Sequence, residues 1–307
     1  MARFSIGDIE TLFFEAYPPA DALEGDRFGL LVGDRRELVK RIAISLDQTI
    51  PQIEAAAALG CNLLVSHHPV FWAAPDSFVA ADSAAVSSGA PVYKAAQLGV
   101  ALLNLHTCLD CAPSAANMLL DPVGLTFVAP LRAHGTGGLG QLARPAGAAA
   151  GGALGGAPGD MLGYAAGDAP GVELGDAPGY AAPVGATDSA AYVQLGELAL
   201  RYKQAFGAVA KVWGDPDKPL FTVAVCSGAG GDVVADAIAA GADCLVTGEL
   251  RHHEALYVSD TNMALIELGH DISELPYRFL LRDSLIAGGF TAADIVVLEP
   301  SATWWQV

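Results

Sequence analysis

Wherever an apolar β-type run in this chain ends, the next residues are histidines, carboxylates or glycines, and this alternation limits the folds open to it. The first regular unit is read to begin near Leu38: Val39, Ile42, Ile44 and Leu46 mark a strand running into Asp47. A helix is expected next, with Thr49 as cap, Pro51 in its first turn, Ile53 to Leu59 as its body and Gly60 as a left-handed stop. Cys61 to Ser66 reads as a buried strand that passes straight into His67, His68 and Pro69. Pro91 to Leu98 reads as a helix closed by Gly99, and Val100 to Leu105 as a strand delivering His106 and Asp110.

The C-terminal portion repeats this grammar. Leu220 to Cys226 is a strand, Gly228, Gly230 and Gly231 a tight turn, and Asp232 to Ala240 a helix closed by Gly241. Cys244 to Val246 is the next strand and leads into Thr247, Gly248 and Glu249. A short helix over His252 to Val258 and a strand over Ala264 to Leu268 follow, ending at Gly269 and His270. Glu274 is expected to open the last long helix, and Ile295 to Leu298 to form a closing strand. Strands alternating with helices argue for an α/β fold with parallel sheets in both portions. Residues 1–144 and 193–307 are assigned to the two parts of an α/β metal-binding core, and 145–192 to an insertion.

The insertion is rich in Ala, Gly, Pro and Asp and lacks Lys and Arg, and the run Gly167-Asp168-Ala169-Pro170-Gly171 recurs at Gly175 to Gly179. Its few large side chains offset little ordering entropy, so a loose loop is expected, with a turn-rich assembly arm as the alternative. Thirty-four acidic residues against 16 basic give a formal charge of −18, which repels phosphate backbones and excludes broad nucleic-acid binding. Five cysteines, an odd number, suit reduced thiols in a cytosol. Cys108 and Cys111 form a C-x-x-C, the pattern of a redox pair or of half a zinc site, but the chain has no second such pair to complete a zinc knuckle, and no chemical role is expected of it. Met1 to Glu10 is polar and mixed, and no apolar run has the length of a membrane span, so a cytoplasmic protein is expected.

In open α/β sheets ligands bind beyond the carboxyl ends of the strands. Asp47, His67, His68, His106, Asp110, Glu249 and His270 all follow such ends. Adjacent side chains on extended backbone point apart, so His67 and His68 could each face a different ion after the turn that Pro69 imposes. His270 and Glu274 are four apart, which on a helical turn gives them one face, and a carboxylate there can bridge two cations. Mixed imidazole and carboxylate ligation suits zinc, manganese or iron better than calcium or copper(I). Paired ions about 3.5–4 Å apart can lower the pKa of a shared water, which is hydrolytic chemistry.

The runs Asp26-Arg27-Phe28-Gly29-Leu30-Leu31-Val32-Gly33, Ser45-Leu46-Asp47, Ser66-His67-His68-Pro69, His106-Thr107-Cys108-Leu109-Asp110, Gly138-Leu139-Gly140, Thr247-Gly248-Glu249 and Gly269-His270 with Ser273-Glu274 resemble the Nif-three-like dinuclear metal proteins, labelled GTP cyclohydrolase 1 type 2 homologues. The resemblance spans nearly the whole chain apart from the insertion. It implies His67, His68, Asp110, His270 and Glu274 as ligands of two divalent ions per chain, with Glu274 the bridge and His106 beside the site. It also implies two lobes of similar topology with the metal site in the cleft between them, and a toroidal homohexamer. The chain departs from the family's usual Trp-Asp-Asn run, showing Gly25-Asp26-Arg27 there.

Two functions are expected to compete. One is a metal-dependent hydrolase of a small nucleotide-like or phosphorylated substrate, with Asp47, His106 and Glu249 orienting water or moving protons. The other is a non-enzymatic metal-holding oligomer that serves as a regulator or scaffold. Arg251, His252 and His253 are candidate anion contacts, with a solvated helix face as the alternative.

Overall fold

The computed structural model describes residues 4–81, 87–146 and 191–300. It divides into two compact units. Met1–Ala115, Ala133–Gly138 and Glu274–Val307 make the first, and Ala116–Arg132 with Leu139–Ser273 the second.

The first unit is built on a five-stranded sheet in the order Gly29–Val32, Ala101–Asn104, Leu63–Ser66, Ile42–Ser45, Ile295–Val297. The strands at Ile42, Leu63 and Ala101 are buried along their whole length, as strands covered on both faces must be. On one side, Ile53 and Ala56 from helix Ile50–Ala58 and Ala95 from helix Ala90–Leu98 pack onto Ala43, Leu64 and Leu102. Fully burying one such leucine stabilises the fold by about 1.5–3 kcal/mol. Thr49 does stand at the N-cap of the first of these helices, with Pro51 in its first turn, but its hydroxyl makes no capping bond. Gly60 and Gly99 have φ of +75° and +65°, the left-handed stops expected of them.

Regular structure begins earlier than Leu38. Helix Ile6–Ala16 opens with a capping box, in which Ser5 Oγ accepts from the Asp8 N–H at 3.2 Å and Asp8 Oδ2 accepts from the Ser5 N–H at 2.7 Å. Its Ile6, Ile9 and Phe13 face inward, and helix Tyr277–Ala287 packs beside it. The expected all-parallel sheets are in fact mixed. Gly29–Val32 runs antiparallel to Ala101–Asn104, while the other pairings of this sheet are parallel. Glu274 does not open the long helix either. It closes a turn over His270–Glu274, because Pro276 cannot continue that helix and instead caps the next one at Tyr277.

The second unit carries a six-stranded sheet in the order Leu125–His134, Gly137–Pro145, Val223–Ala229, Cys244–Glu249, Ala264–Glu267, Lys211–Trp213. Val223–Ala229, Cys244–Glu249 and Ala264–Glu267 are mutually parallel, and antiparallel strands border them on both sides. The insertion lies outside the described residues except at its ends, where Pro145 still belongs to strand Gly137–Pro145 and Tyr192 precedes Val193–Gln194. Among the described residues no helix is long and apolar enough to cross a membrane.

Candidate metal centre

The sheet register places the site. Ser45, Ser66 and Asn104 are paired across three parallel strands, so the residues that follow them emerge side by side. Two further bonds carry the ladder past the strand ends: His68 N–H to Leu46 O at 3.0 Å and Leu105 N–H to Ser66 O at 2.9 Å. Two serines brace the exits identically. Ser45 Oγ donates to Asp47 O at 2.6 Å, and Ser66 Oγ to His68 O at 2.7 Å. Asp47, His67, His68 and His106 therefore converge, and the turn Thr107–Asp110 adds Asp110.

His67 is fully buried, stacked on Tyr277 with ring centroids 4.5 Å apart. Its Nδ1–H donates to Leu105 O at 3.0 Å, which leaves the Nε2 lone pair unprotonated in the neutral ring. That Nε2 makes no hydrogen bond, and it lies 3.7 Å from Asp110 Oδ1 and 3.6 Å from Glu274 Oε1. Three electron-rich atoms facing one another repel unless a proton on Nε2 or a metal cation sits among them. The spacing suits one, since tetrahedral ligands with bonds of about 2.1 Å stand roughly 3.4 Å apart. His68 Nε2 lies 3.0 Å from the other Glu274 oxygen, Oε2. The two oxygens of Glu274 thus address different imidazoles, the posture of a bridging carboxylate. The rings of His67 and His68 are 4.9 Å apart, closer together than strict alternation on a strand would leave them.

Carboxylates set the electrostatics. Burial opposes a charge on His68, but its hydrogen bonds to Asp47 and Glu274 push its pKa up to about 10. Burial likewise opposes charge on His67, and the Asp110 and Glu274 carboxylates still raise it. Both shifts mark a place that favours positive charge. The carboxylates also fix the rings. His68 Nδ1 donates to Asp47 at 2.8 Å, and His106 Nδ1 to Asp26 at 2.7 Å. Burial disfavours the Asp26 carboxylate, yet bonds from His106 and Thr107 hold it below its ordinary value. With each Nδ1 engaged, Nε2 is the nitrogen these histidines offer a metal, which is how carboxylate–histidine–metal arrangements are oriented.

In the second unit, His270 Nδ1 bonds Glu249 Oε1 at 2.9 Å, repeating that pairing. A side chain at Gly248 would put its Cβ 2.5 Å from Gly228 O and 2.8 Å from His270 Cα, so the turn bearing His270 closes on bare backbone. Arg251, His252 and His253 are exposed at the start of helix His252–Asp260. Cys108 and Cys111 are fully buried, and burial pushes each thiol up to about 12, so neither offers a thiolate at neutral pH. Sequence reasoning missed Asp26, which orients His106, and Tyr277, on which His67 stacks. Asp26 stood in a quoted run with no periodic signal to mark it as the partner of His106. A cavity of about 480 Å³ opens beside Asp47, walled by Pro51, Pro69, Val70 and Pro91.

The sequence model of Duf34/NIF3 (NGG1p interacting factor 3) matches residues 4–299. A Clostridium acetobutylicum protein named GTP cyclohydrolase 1 type 2 homolog is 27% identical over 82% of this chain and 78% of its own. A Streptomyces coelicolor protein of the same name is 25% identical over 89% and 82%. Among solved structures, a Staphylococcus aureus hypothetical protein superposes with a TM-score of 0.75 at 20% identity, covering 99% of both chains. A Bacillus cereus protein related to NIF3 gives 0.73 at 18% identity, again over 99% of both. At such identities these two likenesses show the fold.

Proposed function

The chain belongs to the Duf34/NIF3 family, and from that premise we propose that it is a dinuclear metal protein acting as a hydrolase on a nucleotide-like or phosphorylated small molecule. The observation that carries this reading is the buried His67 Nε2, with no hydrogen bond and with carboxylate oxygens of Asp110 and Glu274 at 3.7 and 3.6 Å. His67, His68, Asp110 and Glu274 would hold the ions, and His270, one helical turn before Glu274, would add a fifth ligand. Zinc, manganese and iron suit this donor set. Such ions supply Lewis acidity and a lowered pKa for water.

The protein's own groups divide the remaining work. Asp47 and Glu249 hold His68 and His270 by Nδ1, so both act by orienting imidazoles. His106, anchored by Asp26, presents Nε2 to the centre and is the group placed to move a proton there. The cavity beside Asp47 gives a small molecule room next to the cluster. A cytoplasmic location and assembly as a toroidal homohexamer belong to the same reading; the five free cysteines suit a reducing compartment.

Metal analysis by plasma mass spectrometry on wild type and Glu274→Ala, each run through size exclusion with light scattering, tests the centre. About two ions per chain in the wild type, lost in the variant, are expected. No ion in either, even after reloading, would sink the reading. Bound ions without turnover of nucleotides or phosphoesters would leave the metal as a structural tie, the scaffold alternative.

A further inference from the structure

We propose that Trp72 and Arg27 form a recognition face beside the metal centre, selecting a planar aromatic ring that carries an anionic group, the chemistry of a nucleoside monophosphate. The inference rests on the reading of the centre given above and names the substrate class that the centre would receive.

Trp72 is 58% exposed, a large indole left mostly in water. One edge of it is nonetheless fixed: its ring meets the His106 ring edge-on, with centroids 4.8 Å apart and planes at 73°. His106 is itself pinned by Asp26, so the indole stands on a rigid part of the site. With 58% of Trp72 exposed, the indole keeps surface on which a further ring can stack. Aromatic stacking of this kind tolerates different bases because every base has a π-face.

The charge comes from Arg27. Its Nε–H donates to the Trp72 carbonyl, and its guanidinium lies over the Phe71 ring at 5.6 Å. The backbone is held too. Asp26 Oδ1 accepts from the Arg27 N–H at 2.7 Å, and Arg27 O accepts from Asn104 Nδ2 at 2.8 Å. Among the described residues Arg27 makes no ion pair, in a chain with 34 acidic residues to 16 basic. A permanent cation near a centre that gathers cations weakens metal binding by like-charge repulsion. An anion bound between them removes that conflict, and a guanidinium can grip phosphate through two parallel bonds.

The test titrates metal-loaded wild type, Trp72→Ala, Trp72→Phe and Arg27→Ala by calorimetry with AMP, GMP, adenosine and ribose 5-phosphate as probes. AMP and GMP are expected to bind within a few-fold of each other, and Trp72→Ala to weaken both by about tenfold or more, with Trp72→Phe restoring most of the loss. Arg27→Ala should weaken AMP and ribose 5-phosphate while sparing adenosine. Absence of AMP and GMP binding to the wild type overturns the proposal, as does a Trp72→Ala variant that binds them unchanged. Metal per chain, measured on the same samples, separates the two claims. Full metal without ring dependence removes the recognition face and leaves the centre, whereas Trp72-dependent AMP binding in a chain that never takes up metal supports the face and removes the centre.

Discussion

The two sheets end their parallel strands on different residues at matched positions. In the first, the ladder residues Ser45, Ser66 and Asn104 lead to Asp47, His67 with His68, and His106. In the second, Cys226, Thr247 and Glu267 lead to Gly228, Gly248 with Glu249, and Gly269 before His270. Where the first sheet presents imidazole and carboxylate directly, the second sets a glycine before each such residue, before Glu249 and before His270, and the glycines let backbone close on backbone at the Gly248 turn. The same strand grammar thus makes a cluster of candidate ligands in one unit and, in the other, a tightly closed turn that carries a single histidine–carboxylate pair. Chemistry lies in the one or two residues past the last ladder bond, and the fold supplies only their spacing.

The sharpest way to break that contrast is at the ligands. Glu274→Ala should lose bound metal outright, while Thr247→Val, which removes the Thr247 Oγ1 to Gly228 O bond at 3.1 Å, should retain it; metal analysis of both decides. Cores should instead behave alike. Leu102→Ala and Leu245→Ala, each at a fully buried position, should destabilise by about 2–5 kcal/mol in urea unfolding, and a large difference would make one unit dispensable.

The orienting carboxylates come next. Asp47→Asn keeps the ligand count, so metal affinity measured by competition with a chelator should fall by about 10–100-fold rather than vanish. The pH response follows from His68. Its raised pKa means that protonation stabilises the metal-free protein fully below the usual imidazole value, and that this contribution is lost as pH rises through about 10. Metal must displace that proton, so affinity should climb by about tenfold per pH unit below this point and level above it. Calorimetry at pH 8 in buffers of different ionisation enthalpy should show proton release; none would mean that His68 is not a ligand. The smallest effect is at Cys108 and Cys111, where iodoacetamide should not label the folded protein.

How much of this could be read from the sequence differs by element. The strands leading to His67 and His106 were legible because each is a short buried run stopped by turn chemistry, and Gly60 and Gly99 punctuated the helices. Helix Ile6–Ala16 went unread although Ser5 and Asp8 spell its capping box, since its apolar face is only Ile6, Ile9 and Phe13. The antiparallel edge strands could not be inferred from alternation, which carries no pairing information. Nor could the parallel pairing of Ile295–Val297 with Ile42–Ser45, a contact across nearly the whole chain. Asp110 and Glu274 were legible as residue types, but the division of the two Glu274 oxygens between His67 and His68 depends on the turn that Pro276 ends.

That long-range closure also sets an order of events on the ribosome. The first unit joins segments far apart in the chain, and it lacks Glu274 and the strand Ile295–Val297 until the ribosome has passed them. A nascent chain halted before them displays His67, His68, His106 and Asp110 without the carboxylate that joins the two histidines, and leaves the Ile42–Ser45 edge unpaired. If the centre holds metal as proposed, firm loading reports that synthesis has passed Glu274, so products truncated before it should be separable from longer ones by metal content.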